Sequence, residues 1–135
     1  MLNSISKAVY AHMVGQLTRT VHVGMRRAEA ASPCYVYEIT GAECPTILEG
    51  KVPTLANWVL TLEVACVADT VDVATDMADD LIASFTGVIT DATNKCKLVL
   101  AGVSVALSAE TPDDGKQDAE RIATATLTIL VQETT

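Results

Sequence analysis

The stretch from Asn57 to Phe85, NWVLTLEVACVA followed by DT and VDVATDMADDLIASF, decides the fold. In its first twelve residues Trp58, Leu60, Leu62, Val64 and Cys66 alternate with Thr61 and Glu63. A period of two is a strand with one buried face. Asp69 and Thr70 then stop the strand, and their side-chain oxygens suit the free N–H groups at the start of a helix. In that helix Ala74, Ala78, Leu81, Ile82 and Phe85 make one apolar stripe, which leaves Asp72, Asp76, Asp79 and Asp80 directed at solvent or a partner. Acids near its first turn also favour the helix dipole.

Downstream, Gly87 ends the helix and Asp91 to Lys97 is a polar connection. Leu98 to Ala109 is a strand with Val99, Val103, Val105 and Leu107 apolar, and Gly102 marks a bulge or close packing. Pro112-Asp113-Asp114-Gly115 is a turn, with proline presetting φ and glycine accepting a positive one. It joins the strand to a last, antiparallel one over Ala119 to Gln132, where Thr124, Thr126 and Thr128 alternate with Ala125, Leu127, Ile129 and Val131. The threonine face is polar enough to meet water or another subunit.

Upstream, Ile5, Val9, Met13 and Leu17 recur every fourth residue, with Ala8 alongside, so a helix is expected from about Ser4 to Thr18, capped by Asn3 or Ser4. His12 shares its apolar side, where a lone histidine is a boundary residue hydrogen-bonded to backbone rather than a ligand. Arg19 to Ser32 holds a short strand or extended connection. Pro33 then leads a strand over Cys34 to Thr40, proline being tolerated at a strand's start. Gly41 to Ala56, with Pro45, Gly50 and Pro53, is a broad loop or a short edge hairpin around Thr46 to Val52. Sixteen residues is long for a passive connection, which raises a protruding contact arm beside the plain-loop alternative. The expected fold is α+β: one domain over residues 1–135, with a mainly antiparallel twisted sheet of about four to six strands packed on two helices (about 4–18 and 70–86) and a terminal β-hairpin.

Composition narrows function by exclusion. Half of the 135 residues are apolar and only five are aromatic, so Val, Leu, Ile and Ala build the core. A net charge of −8 disfavours a nucleic-acid-binding face, which needs clustered Lys and Arg. Cys34, Cys44, Cys66 and Cys96 have neither C-x-x-C spacing nor a histidine at ligand spacing, so zinc is not expected and the thiols are read as reduced. The stretch MLNSISKAVYAHMVG lacks an apolar run of signal-peptide length, and no stretch approaches the roughly 20 apolar residues of a membrane span. No G-x-S-x-G, Walker A, dinucleotide glycine set or H-E-x-x-H is present. The aspartates of the second helix follow surface spacing without a ligand loop, so no metal, cofactor or catalytic residue is expected.

The layout as a whole resembles the bacteriophage tail terminator, or tail completion, family. The matching features are the amphipathic helix Ser4 to Thr18, the proline-led strand Pro33-Cys34-Tyr35-Val36-Tyr37, the long strand Trp58 to Ala68, the helix Thr70 to Phe85 and the hairpin around Pro112 to Gly115. The resemblance spans nearly the full chain, although Cys34 interrupts the Pro-Tyr opening of its strand and Arg19 to Ser32 is unusually rich in alanine. It implies a non-enzymatic virion protein, assembled in host cytoplasm, whose hexameric ring caps the head-proximal end of the tail tube. Such a ring stops tail polymerisation, meets the tail tube protein on one face and the head-completion or connector proteins on the other, and passes DNA through its lumen without specific binding. Two alternatives stand beside it: another head–tail connector or tube-like subunit of a phage or contractile injection machine, and a small ligand-binding or enzymatic α+β domain.

Charge separation supplies a candidate subunit contact. Arg19, Arg26 and Arg27 lie in a stretch without acids, and Asp72, Asp76, Asp79 and Asp80 in one without bases, which suits head-to-tail association between copies. The candidate tail or connector contacts are Glu43, Thr46, Glu49 and Lys51 in the Pro-Gly-rich stretch, and Asp113, Asp114 and Lys116 in the terminal turn.

Overall fold

A computed structural model describes residues 2–24, 33–44, 57–109 and 121–134. Helix α1 spans Leu2–Gln16 and is followed by strands β1 (Thr20–Val23), β2 (Cys34–Glu43) and β3 (Asn57–Ala68). Helix α2 spans Val71–Ser84, and β4 (Val88–Asp91), β5 (Cys96–Ala109) and β6 (Arg121–Glu133) complete the chain. The strands form one sheet in the order β1-β2-β3-β6-β5-β4, antiparallel throughout except for the parallel pair β1–β2. This is the expected α+β arrangement, with the last strand inserted at the centre.

Both helices cover one face of the sheet. Leu60, Leu62, Val64 and Cys66 of β3 point into the core beside Ala123, Ala125, Leu127 and Ile129 of β6. They meet Ile5, Val9 and Met13 of α1 and Met77, Leu81 and Phe85 of α2. Each large apolar side chain fully buried in this layer contributes about 1.5–3 kcal/mol. One polar bond crosses it: the Tyr35 hydroxyl donates to the Met77 carbonyl oxygen at 2.9 Å, fastening β2 to α2.

The strand over Asn57–Ala68 and the following helix lie where the alternation and stripe placed them. Thr70 is the N-cap, its hydroxyl accepting from the Val73 N–H at 3.2 Å, and Gly87 takes φ +77 just past the helix end. Gly102 follows a bulge: β5 pairs in register up to Leu100–Ile129 and resumes at Gly102–Thr128, leaving Ala101 extra.

Three expectations need correction. Helix α1 begins at Leu2, so Asn3 and Ser4 lie inside its first turn rather than capping it. Strand β2 continues past Thr40 to Glu43, because a bulge between Ile39 and Gly41 lets the glycine enter the ladder with β3. The polar stretch after Asp91 is a tight hairpin turn joining two strands, of which β4 is only four residues long and left no periodic signal. Asp91 organises that turn: Oδ1 accepts from the Asn94 N–H at 2.8 Å and Oδ2 from its side-chain amide at 2.9 Å. These bonds hold the Asp91 carboxyl below its ordinary pKa, and Lys95 closes the turn at φ 55. The possible hairpin around Thr46 to Val52 and the turn Pro112 to Gly115 lie outside the described residues.

Candidate functional site

The helix layer sets which groups remain for chemistry or contact. On α2, Asp72, Asp76 and Asp79 are exposed on the side away from the sheet, opposite Ala74, Met77, Ala78 and Leu81. Asp80 stands a quarter turn round, where its Oδ2 lies 3.6 Å from Arg19 Nη1 of the same chain. With Asp80 65 % exposed, this pair contributes about 0.2–1 kcal/mol. The structure thus brings together one base and one acid of the charge-separated set inside a single subunit. Asp72, Asp76 and Asp79 stay free of that pairing. Arg26, Arg27, Thr46, Glu49, Lys51, Asp113, Asp114 and Lys116 lie outside the described residues, whereas Glu43 is exposed at the end of β2, opposite Val59.

Beside Asp80, His12 is packed between the helices. Its ring centroid is 4.2 Å from that of Phe85, and Nε2 is 3.3 Å from Ser84 Oγ, which itself donates to the Leu81 carbonyl. Burial pushes the His12 pKa down, and the bond to Ser84 opposes this only in part. Its environment fits a neutral histidine joining two helices, with the Ser84 hydroxyl as partner where a backbone group was expected. Burial pushes the Tyr37 hydroxyl and the Cys66 thiol up to about 12, so both stay protonated. The Cys96 thiol is raised as well, by burial first and then by Asp91 and Glu133. None of the four cysteines is in a disulfide, and no group of three or more His, Cys, Asp or Glu residues among those described is arranged to hold a metal ion. No described helix is long and apolar enough to cross a membrane.

Two apolar surfaces, by contrast, are left uncovered among the described residues. On the face away from the helices, Val59, Leu130, Val99 and Val88 stand side by side across β3, β6, β5 and β4. They floor a groove of about 640 Å³ edged by Asn57, Lys97 and Gln132. Leu130 is 46 % and Val88 64 % exposed, so the groove is open sheet surface rather than an enclosed pocket. The second surface lies on the helix side, where Val103, Val105 and Leu107 of β5 continue the rows of Leu127, Ala125 and Ala123. They remain 43 %, 46 % and 60 % exposed because the helix layer ends before reaching them.

Sequence alternation marks Val103, Val105 and Leu107 as a strand's apolar face but carries no information on whether anything covers that face. The missing signal is the width of the helix layer, a tertiary quantity. Comparison with models of known protein families and with curated proteins finds no match.

Proposed function

We propose that the chain is a structural virion protein, the tail terminator of a phage tail, forming a ring that caps the head-proximal end of the tube, stops polymerisation and joins the tail to the head-completion proteins. The observation that carries this reading is the pair of open apolar surfaces, one on each face of the sheet. A subunit with sticky surfaces on opposite faces is built for repeated contact, since contiguous exposed apolar patches mark interaction sites. The acidic row Asp72, Asp76 and Asp79 supports it further, because surface charge of one sign orients copies during encounter. If that row faced the lumen, it would repel passing DNA and keep the polymer from sticking.

The test is an electron micrograph of the purified protein, followed by its addition to polymerising tail tube protein. Closed rings that stop tube growth at one end are expected. A protein that stays monomeric and leaves tube length unchanged overturns the reading. Rings that bind a head–tail connector but not the tube place the subunit elsewhere in the neck.

A further inference from the structure

The sheet ends on β1 and β4, each only four residues long. Short end strands are one device that keeps a sheet from pairing with other chains. Beside β4 a much longer edge is left open. Strand β4 pairs only with Cys96 to Val99, so from Leu100 to Ala109 strand β5 has no neighbour on the side away from β6 among the described residues. At about 3.4 Å per residue that edge runs for about 34 Å. Its sequence, LAGVSVALSA, has no charged residue and no proline, which are the other common safeguards of an edge. The strand is also exposed on both faces: Val103, Val105 and Leu107 on the helix side, Ser104, Ala106 and Ser108 on the other. A methyl group added at Gly102 would meet no atom within 4 Å.

An edge specifies its occupant more closely than a face does. It presents a row of backbone N–H and C=O groups, and an extended strand with a free edge of its own is what satisfies them along their length. In this chain β1 and β4 are too short for that, which leaves β5 of a second copy. The strand is complementary to itself. With two copies antiparallel about a two-fold axis at Val105, each Val105 stands opposite its counterpart and Val103 opposite Leu107. On the other face Ser104 stands opposite Ala106 and Gly102 opposite Ser108. Aliphatic side chains meet on one face and small ones on the other, with no like charges opposed. The overlap stops at Gly102, short of Val99 where β4 begins its pairing, so β4 does not obstruct it.

We infer that the β5 edges of two copies pair antiparallel between Gly102 and Ser108, joining two sheets into one. The contact uses the same surface on both copies and closes at two. It is independent of the ring reading, which needs a separate head-to-tail surface.

The test charges the exposed small positions that face each other across the axis and leaves the apolar row intact. In full-length protein, Ser104→Lys with Ala106→Lys sets lysine against lysine twice, whereas Ser104→Lys with Ala106→Glu sets lysine against glutamate twice. Circular dichroism and a urea midpoint establish that each is folded. In sedimentation equilibrium the lysine pair is expected to weaken dimerisation at least about tenfold, and the lysine–glutamate pair to restore most of the loss. Two added lysines make a chain of net charge −8 less negative, so a general charge effect would act in the opposite direction. A second measurement needs no variant: amide hydrogen exchange from Gly102 to Ser108 should slow as wild-type concentration rises, while exchange in β1 and β4 does not change. Dimerisation undiminished by the two lysines, a lysine–glutamate variant no tighter than the lysine pair, or exchange at Gly102 to Ser108 independent of concentration overturns the pairing. Rings that survive the two lysines unchanged also overturn it and leave the ring reading standing. A protein that stops at the dimer supports the pairing and goes against the ring reading, and one that is monomeric at every concentration overturns both.

Discussion

Val99 and Val103, four residues apart on one strand and both at odd positions, face opposite sides of the sheet. Val99 pairs with Leu130 on the outer face and Val103 with Leu127 on the helix side, the extra residue at Ala101 having moved the second half of β5 by one. In an unbroken ladder they would share a face, since a one-residue slip transfers every later side chain to the other side. The bulge is what gives one strand two separate apolar patches. Deleting Ala101 should remove the bulge yet keep Val103, Val105 and Leu107 opposite Leu127, Ala125 and Ala123 on the helix side, so any self-association through them and a cooperative urea transition should both survive. Sedimentation of the deletion protein checks this.

Removing the Tyr35 hydroxyl isolates the bond between β2 and α2. Tyr35→Phe keeps the buried ring and deletes one donor to the Met77 carbonyl. Stability should fall by about 0.5–1.5 kcal/mol, more if the stranded carbonyl finds no water. Urea unfolding reads the change in midpoint at constant slope.

Acid sensitivity should trace to His12. Its folded pKa lies below 6.5, so above pH 6.5 the ring is neutral whether folded or not and the full stability is present. As pH falls below 6.5 the unfolded chain takes up the proton first, and stability drops until the folded pKa is passed. Carboxylates that share this range are unchanged by His12→Gln, so the difference between the two pH profiles isolates the histidine. A wild-type profile that rises on acidification from pH 7 to 5.5 relative to the variant would contradict the assignment.

The thiols should separate by burial. Cys34, Cys66 and Cys96 are buried and Cys44 is half-buried. Thiol titration of the native protein should find Cys44 reacting first, and titration after denaturation without reductant should find all four. Two reducible bridges in the denatured protein would place it in an oxidising compartment and remove host cytoplasm as its site of assembly.

Charge reversal tests the acidic row. Arg26→Glu with Arg27→Glu should slow association and weaken it by about 0.2–1 kcal/mol per exposed pair, leaving the monomer folded. Asp76→Lys with Asp79→Lys in the same chain should partly restore it. Absence of rescue would remove these arginines from the contact. Arg19 is left out of the set because it already meets Asp80 in its own subunit.

What the chain declares in advance follows from how each signal is generated. Strand β3 and helix α2 are long, periodic and ended by Asp69-Thr70 and Gly87, so pattern and cap agree and both boundaries are legible. Strand β4 is too short for periodicity, and its turn depends on Asp91–Asn94 bonds that polar composition suggests only as a connection. The start of α1 at Leu2 is not legible, because Asn3 and Ser4 are capping residue types that here lie inside the first turn. At the surface, the aspartate row is legible because helical spacing alone orients it. The Arg19–Asp80 contact is not, for it depends on where β1 sits, and neither is the open strip on β5, which depends on how far the described helices reach across the sheet.

Strand β6 lies between β3 and β5, so the middle of the sheet is synthesised after the strands on both sides of it. Until residue 133 has emerged, β3 and β5 have no common neighbour, and the apolar rows of both are without their largest partner. Pairing residues 57–68 with 121–132 also closes a long loop, which slows folding relative to local contacts. A chain halted before β6 therefore has neither a closed core nor the second half of its β5 contact surface held in place.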